Sequence, residues 1–186
     1  THKDESTLTD TQLIQSTLEG NTRAFGLLVK RYENQVAGVV IGMLGPGPEA
    51  EDVGQETFIR FYKNLKRFRG DSGVGTYLTR IAINLSLNEI KRRKKRRGLF
   101  EREENMTLES RTPNGYEQLE LRHALQQAIQ QLEPHHRSVV LLRLVQGYST
   151  KETSKLLNIP PGTVLSRLSR AQKKLKDLLS TTAPIG

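Results

Sequence analysis

Cysteine is absent from this 186-residue sequence, which excludes disulfide bonds, thiolate metal sites and a cysteine nucleophile. No apolar run is long enough to cross a membrane, because the longest, residues 36–44, is short and interrupted. The first ten residues are polar and partly acidic, so they lack the apolar core of a signal peptide. These absences lead us to expect a cytoplasmic protein with no membrane insertion.

Positive charge is in excess: 29 Lys and Arg residues against 20 Asp and Glu residues give a net charge of +9 and a pI near 9.9. An excess of this size favours a nucleic acid or an anionic surface as the partner. The chain is long enough for one domain or for two small ones joined by a linker.

Residues 76–97 concentrate this charge and end in seven consecutive bases. The apolar residues that recur at helical spacing, and so predict a buried stripe, are Leu78, Ile81, Ala82 and Leu85. The residues on the opposite side are Arg80, Asn84, Asn88 and Lys91. Amides suit base edges and cations suit phosphates, so this face fits a nucleic acid. The alternatives are a solvated helix with a frayed basic tail, or a localisation signal.

Three further helices are predicted before this one, at residues 9–19, 21–44 and 48–68. Thr9 and Asn21 are their expected N-caps, and Pro48 suits the first turn of the third helix. Three glycines between positions 70 and 75 predict a loop, because glycine is unfavourable inside a helix. Together these elements predict a compact all-helical domain that ends near residue 97.

The helical pattern breaks down over residues 98–116, which are rich in glutamate and contain the turn signal Pro113-Asn114-Gly115. A segment of this length is unusual inside one compact domain, so we predict a flexible linker. Its acidic side chains either serve solubility or mimic a nucleic acid inside a basic channel.

A second helical module is predicted at residues 117–186. Its first two helices have apolar stripes, formed by Leu121, Leu125, Ile129 and Leu132 in one and by Val139, Val140, Leu142 and Leu144 in the other. Its last two helices are joined by a tight turn at 158–162. Ser149 and Glu152 fit a capping box that begins the first of these two helices. The apolar stripe of the last helix consists of Val164, Leu168, Ala171, Leu175 and Leu178. This arrangement predicts a helix-turn-helix, and the alternative is a plain helical hairpin with a basic solvent face.

With that stripe directed inward, five residues of the last helix point outward: Leu165, Ser166, Ser169, Arg170 and Lys173. Arg167 and Lys174 flank this outward face. Recognition helices read base edges near their N-terminus and hold phosphates with flanking cations. Arg170 could bind guanine in bidentate fashion, which provides about 1–3 kcal/mol of discrimination.

Both modules resemble one family, the bacterial RNA polymerase sigma factors of the extracytoplasmic-function (ECF) class. The resemblance runs from about Ala24 to Leu179 and rests on four motifs whose order and spacing match the family. The motifs are AFGLLVKRY (24–32), AEDVGQETFIRFY (50–62), FRGDSGVGTYLTRIAIN (68–84) and LEPHHRSVVLLRLVQGYSTKETSKLLNIPPGTVLSRLSRAQKKL (132–175). The fold that the resemblance implies is all-α, with two small helical domains joined by a flexible linker and a helix-turn-helix in the second.

The resemblance implies that residues 1–97 are sigma region 2, 98–116 a linker, and 117–186 sigma region 4. Region 2 would bind core RNA polymerase and recognise and melt the minus-ten promoter element. Region 4 would recognise the minus-thirty-five element and meet the polymerase flap. An anti-sigma factor that covers both domains is a further implied partner. The polymerase supplies the chemistry, so we expect no enzyme activity, no catalytic residues, no metal and no cofactor.

The resemblance also assigns roles to individual residues. The residues expected to bind the clamp coiled coil of the largest polymerase subunit are Asp52, Gln55, Glu56 and Arg60. Those expected at the minus-ten element are Arg69, Asp71, Ser72, Tyr77, Arg80, Asn84, Asn88, Lys91, Arg92 and Arg93. Those expected at the minus-thirty-five element are Thr163, Leu165, Ser166, Arg167, Ser169, Arg170 and Lys173.

Seven of these positions carry a more specific expectation. Asn84 matches a residue that lines a pocket for an extruded base, and Lys91, Arg92 and Arg93 would hold the duplex backbone upstream. Tyr77 stands near the point of strand separation, where relatives often have tryptophan, although it could equally be a core residue. Leu165 and Ser169 depart from the larger or charged side chains of relatives, which leaves the exact promoter sequence open.

Two other classes of protein remain as alternatives at this point. A helix-turn-helix repressor or activator would explain residues 117–180 and the net charge, but it would give the Asn84 helix no task. A nucleic-acid-processing enzyme could use Glu51, Asp52 and Glu56 as metal ligands. Those carboxylates lie on one helix without a second acidic cluster, and the four histidines show no ligand spacing.

Overall fold

The protein is described by a computed structural model that covers residues 8–100 and 117–182. These described residues form α-helices and contain no strand, so the predicted all-α class is confirmed. The chain divides into two compact units, Thr1–Ser86 and Leu87–Gly186. Most of the predicted linker, residues 101–116, lies outside the described residues. Within the described ranges, no helix has the length and apolar character needed to cross a membrane.

Eight α-helices follow one another along the described chain. They are α1 (Asp10–Leu18), α2 (Thr22–Leu44), α3 (Pro48–Asn64), α4 (Val74–Phe100), α5 (Glu117–Gln130), α6 (Pro134–Val140), α7 (Thr150–Leu157) and α8 (Pro161–Thr182). A 3-10 turn, Leu65–Arg67, follows α3, and a π-helical turn, Leu141–Val145, follows α6. Helix α4 therefore continues three residues beyond the end at Arg97 that the sequence predicts.

The predicted caps are present and explain where several helices begin. The side chains of Thr9 and Gln12 form a reciprocal capping box at α1, and the side-chain oxygen of Asn21 accepts backbone N–H groups at the start of α2. At α7, the backbone N–H of Ser149 donates to the Glu152 carboxylate at 2.8 Å. These bonds satisfy backbone donors that a helix N-terminus otherwise leaves unpaired.

The core of the first unit is aliphatic around one buried aromatic ring. Its fully buried side chains include Leu28, Val36, Val39, Met43, Phe61, Leu78 and Ile83. Phe61 lies within 6.1 Å, between ring centroids, of Phe25, Phe68 and Tyr77. These pairs are tilted or edge-to-face, which is the favourable arrangement for aromatic rings.

Helix α1 is attached to α2 by charge. Arg31 donates to the carboxylate of Asp10 at 2.6 Å, and the hydroxyl of Tyr32 donates to the second oxygen of the same carboxylate. Burial and the neighbouring Asp10 carboxylate raise the pKa of Tyr32 to about 12. The phenol is therefore neutral at physiological pH and remains a hydrogen-bond donor to Asp10.

The apolar stripes predicted for the second unit are only partly buried. Val164, Ala171 and Leu175 of α8 are buried as predicted, and so are Val139, Val140 and Leu142. Leu144, which the sequence places on the apolar side of the same helix, is instead 53% exposed. The reason is the π-helical turn, in which Gln146 N–H donates to Leu141 rather than to the carbonyl four residues back. Widening the turn rotates the residues that follow relative to a 3.6-residue repeat.

Arg137 joins α5 to α6 through a buried guanidinium. Its Nε donates to the carbonyl of Ile129 at 3.1 Å, and Nη2 donates to the carbonyl of Leu132 at 3.0 Å. The same group also donates to the backbone and side-chain carbonyls of Gln130. An arginine placed here adds donors for carbonyls at and just after the C-terminus of α5, where the helix has few N–H groups left to offer; the Ile129 carbonyl also accepts the Leu132 N–H.

Replacing Arg137 with methionine keeps the length of the side chain but removes these donors. We expect a loss of about 2–4 kcal/mol in the free energy of unfolding, because buried carbonyls lose a charged hydrogen-bond donor that they share. Urea denaturation followed by circular dichroism measures the change. Arg122→Met, at an exposed position of α5, is the matched control and should stay within about 0.5 kcal/mol of the parent protein. Equal effects of the two substitutions would contradict this role of Arg137.

Candidate nucleic-acid interface

The outward face of α4 presents amide and basic side chains along about three turns of the helix. Arg80, Asn84, Asn88 and Lys91 are all exposed, as predicted. At 1.5 Å per residue they extend over roughly 16 Å of helix. The opposite side is fixed in the core, where Leu78 and Ala82 are at most 1% exposed. The amides and cations are thus presented by a helix whose other side cannot move independently.

The first turn of α4 lies close to α2 because Gly75 has no side chain. A Cβ atom added at Gly75 would lie 2.8 Å from the side-chain oxygen of Gln35 and 3.0 Å from the ring of Tyr32. The Gln35 amide nitrogen also donates to the Gly75 carbonyl and to the hydroxyl of Thr79, at 3.3 and 3.1 Å. The start of α4 is therefore positioned by direct side-chain contacts. Of the predicted loop residues, Arg69 and Asp71 are exposed and Ser72 is half-buried.

For Tyr77 the sequence leaves two interpretations open, a core residue or a surface residue near the point of strand separation, and the structure has features of both. Its ring packs against Phe68 at 5.1 Å and Phe61 at 5.8 Å between centroids, yet the residue is only half-buried. One side of the ring therefore belongs to the aromatic core, and part of the residue reaches the surface beside the loop. Such a ring is rigidly held and still able to contact a ligand.

The basic end of α4 contains a buried carboxylate that the sequence analysis did not single out. Glu89 is 8% exposed and its carboxylate lies 2.6 Å from Arg96, 3.5 Å from Arg92 and 4.0 Å from Arg93. The spacing of three, four and seven residues was the available signal, because it places all three arginines on the Glu89 side of a helix. Two of the predicted phosphate-binding residues, Arg92 and Arg93, thus share a carboxylate, and Lys91 is exposed nearby.

The predicted polymerase-binding residues lie together on α3. Asp52, Gln55 and Arg60 are exposed, and Glu56 is half-buried and pairs with Arg60 at 2.8 Å. Ile59, which the sequence analysis did not include, is 44% exposed beside them. The face is therefore acidic and amide-bearing around an exposed aliphatic side chain, a composition that suits a partner with arginine and apolar groups.

The predicted recognition helix, α8, has the expected inward and outward sides. Val164 and Ala171 are fully buried. The exposed members of the predicted set are Leu165, Ser166, Ser169, Arg170 and Lys173. Thr163 and Arg167 are half-buried, and the Ser166 hydroxyl donates to the Thr163 carbonyl at 3.1 Å. Four outward residues before position 171 therefore lie in the N-terminal half of the helix, where helix-turn-helix proteins read DNA.

Ionisable groups of the described residues do not form a second type of site. In residues 8–100 and 117–182 there is no group of three or more His, Asp or Glu side chains able to hold a metal ion.

Burial, together with the positive charge of Arg167, lowers the pKa of His135. That imidazole is therefore mainly neutral at physiological pH.

Two family models match the chain over most of these helices. The model described as Sigma-70 region 2 matches residues 28–96, and the model described as Sigma-70, region 4 matches residues 122–175. The first match includes the outward face of α4 and the acidic face of α3. The second includes α7, the turn after it and α8 up to residue 175.

Curated relatives and solved structures agree with these matches. The RNA polymerase sigma-H factor of Pseudomonas aeruginosa is 33% identical over 180 residues, which is 91% of this chain and 93% of that protein. The ECF RNA polymerase sigma factor SigW of Bacillus subtilis is 33% identical over 177 residues, covering 89% and 94% of the two chains. The sigma factor RpoE from Bartonella quintana, solved with the anti-sigma factor NepR, shares the fold with a TM-score of 0.71 at 21% identity, over 84% and 96% of the two chains.

Identity at this level over nearly the whole length, together with matches to both sigma regions in the expected order, leaves one assignment. The chain belongs to the ECF class of RNA polymerase sigma factors.

Proposed function

We propose that this sigma factor divides promoter recognition between residues 1–97, acting as region 2, and residues 117–186, acting as region 4, with 98–116 as the linker. The observation that carries the proposal is the outward face of α4, where four amide and cationic side chains are exposed on a helix fixed in the core. A repressor or activator that used only α7 and α8 would have no use for that face. A sigma factor must bind core RNA polymerase, whereas a repressor or activator does not need to, so this binding distinguishes the two functions.

Region 2 binds the polymerase through the acidic face of α3. Asp52, Gln55, Glu56 and Arg60 contact the clamp coiled coil of the largest subunit, with Ile59 as an apolar contact among them. Carboxylates form short, charge-assisted hydrogen bonds with arginine, and the amide accepts or donates beside them. Because Glu56 is already paired with Arg60, Asp52 is the carboxylate most available to the partner.

Promoter opening takes place at the loop before α4 and along its outward face. Arg69, Asp71 and Ser72 bind the non-template strand, and the Asn84 amide pairs with the edge of a base that has left the stack. Tyr77 lies where the strands separate, and Arg80 and Asn88 extend the same surface. The phosphates of the upstream duplex are bound by Lys91, Arg92 and Arg93. On binding, the two arginines give up part of their ion pairing with Glu89 and pair with phosphates instead.

Region 4 places α8 in the major groove of the minus-thirty-five element. Arg170 binds a guanine, while Ser166 and Ser169 contact base edges. Thr163, Arg167 and Lys173 add contacts that position the helix on the duplex. The other side of region 4 meets the polymerase flap, and an anti-sigma factor controls the protein by covering both regions.

The polymerase performs the chemistry of transcription, so the chain needs no cofactor, metal or enzyme activity of its own. Since both proposed partners, polymerase and promoter DNA, are in the cytoplasm, the protein acts there.

Asp52→Lys tests the polymerase contact. Reversing this charge should weaken assembly with core RNA polymerase at least tenfold, because a like charge would face the partner's arginines. Fluorescence anisotropy of labelled sigma factor titrated with core enzyme measures the affinity. Glu33→Lys makes the same charge change at an exposed position of α2 and should leave it unchanged. Failure of the parent protein to bind core enzyme, or to give it start-site selection, would refute the proposed function.

Asn84→Ala tests the base pocket. Loss of the amide should reduce open-complex formation about fivefold to a hundredfold, which corresponds to a base contact of about 1–3 kcal/mol. Permanganate footprinting of unpaired thymines measures opening, and core binding should be unchanged. Asn34→Ala, an exposed amide on α2, is the control. A parallel loss of opening and core binding would contradict the assigned role.

Arg170→Ala tests reading of the upstream duplex. A bidentate contact to guanine predicts a loss of affinity that depends on the base pair at one position, by about 1–3 kcal/mol. A preferred minus-thirty-five element is first selected from a random duplex library. Band-shift titrations with single base-pair substitutions across this element then measure the dependence. A uniform loss across all duplexes would mean that Arg170 touches phosphate only.

A further inference from the structure

The recognition helix carries one exposed aliphatic side chain near its start. Leu165 is 54% exposed, although it directly follows Val164, which is fully buried. Helix α8 begins at Pro161, so Leu165 lies within its second turn. Isolated exposed leucines are common on protein surfaces, so exposure alone has no meaning. What gives it meaning is its place on the part of the helix that enters the major groove.

The side chains around Leu165 leave it free to reach a base. Ser169, one turn later on the same side, is short and exposed. The neighbouring Ser166 directs its hydroxyl proton back to the Thr163 carbonyl at 3.1 Å, so it faces outward as a hydrogen-bond acceptor. Because a leucine is longer than a serine, the methyl groups of the exposed Leu165 extend further from the helix axis than the hydroxyls of Ser166 and Ser169.

A leucine can recognise only an apolar group, and the major groove offers one. The four base pairs present hydrogen-bond donors and acceptors there, and thymine alone adds a 5-methyl group. Other bases would leave the leucine against a polar edge with no compensating contact. The chemistry of the side chain thus selects one base, which a serine or a flexible cation at this position would not do.

We propose that Leu165 is a specificity-determining residue that packs against the 5-methyl group of a thymine in the minus-thirty-five element. The proposal rests on the proposed function of α8, and it adds a defined base preference to it. Leu165 and Arg170 then read different features of the element, the first an apolar methyl group and the second a pair of acceptors.

The test removes only the methyl group. The preferred minus-thirty-five element is selected from a random duplex library by the full-length chain bound to core polymerase. Each thymine of that element is then replaced singly by deoxyuridine, which has the same hydrogen-bonding groups. For the parent protein, one replacement should weaken binding about threefold to tenfold, the effect expected for one buried methyl group.

The Leu165→Ala variant should bind the duplex with thymine at that position and the duplex with deoxyuridine there with equal affinity. A double-mutant cycle that combines the protein substitution with the base replacement tests this directly. Leu144→Ala removes an equally exposed leucine (53%) outside the proposed DNA-binding residues, so it should retain the methyl effect. Circular dichroism should show unchanged helix content in both variants. If no replacement affects the parent protein, or if Leu165→Ala remains as sensitive as the parent, the proposal is wrong. If instead the parent protein selects no duplex element at all, the proposed function of α8 fails together with it.

Discussion

Burial of one side of α4 is the constraint on which the proposed mechanism depends. The helix buries apolar and small polar residues on more of its circumference than the predicted stripe, including Thr79, Ile83 and Ser86. What remains outward is a narrow line of amides and cations. Extruding a base costs a few kcal/mol, and a binding surface recovers that energy efficiently only if it does not have to be ordered first. The Gly75 contact with Gln35 and the aromatic packing of Tyr77 fix the start of the same helix.

The charge of α4 is likewise controlled by packing. A run of seven bases would repel itself and fray, since like charges three and four residues apart destabilise a helix. Glu89 offsets this by holding Arg92, Arg93 and Arg96 around one carboxylate of low exposure. A buried carboxylate is itself unfavourable without a partner, so glutamate and arginines depend on each other. The helix can therefore remain intact to Phe100 and still present cations to phosphates.

The features that the sequence could predict are those that depend on residues close together in the chain. Caps such as Asn21 and Ser149 and the stripe of α8 depend on residues close in sequence, so helix positions and outward faces were predictable. The π-helical turn was not, because it departs from the 3.6-residue repeat on which the prediction for Leu144 relied. Leu121 and Leu125 were grouped with buried residues by the same repeat, yet they are 65% and 41% exposed. Periodicity shows that residues share a side of a helix, but burial depends on what lies against that side. The roles of individual site residues, which came from family resemblance, stay predictions.

The two candidate DNA-binding helices differ in a way that fits different forms of DNA. On α4 the outward residues are amides and cations, next to a partly exposed aromatic ring, and such a surface suits unpaired bases that present their Watson–Crick edges and faces. On α8 short serines separate Leu165 from Arg170, which lets a helix approach closely to the floor of a groove whose base edges are fixed in a duplex. A leucine between serines would offer an unpaired base almost nothing to pair with, whereas it can pack against a methyl group that a duplex holds in a fixed position. The chemistry of the outward side chains therefore favours strand capture at α4 and duplex reading at α8, in agreement with the proposed division of function.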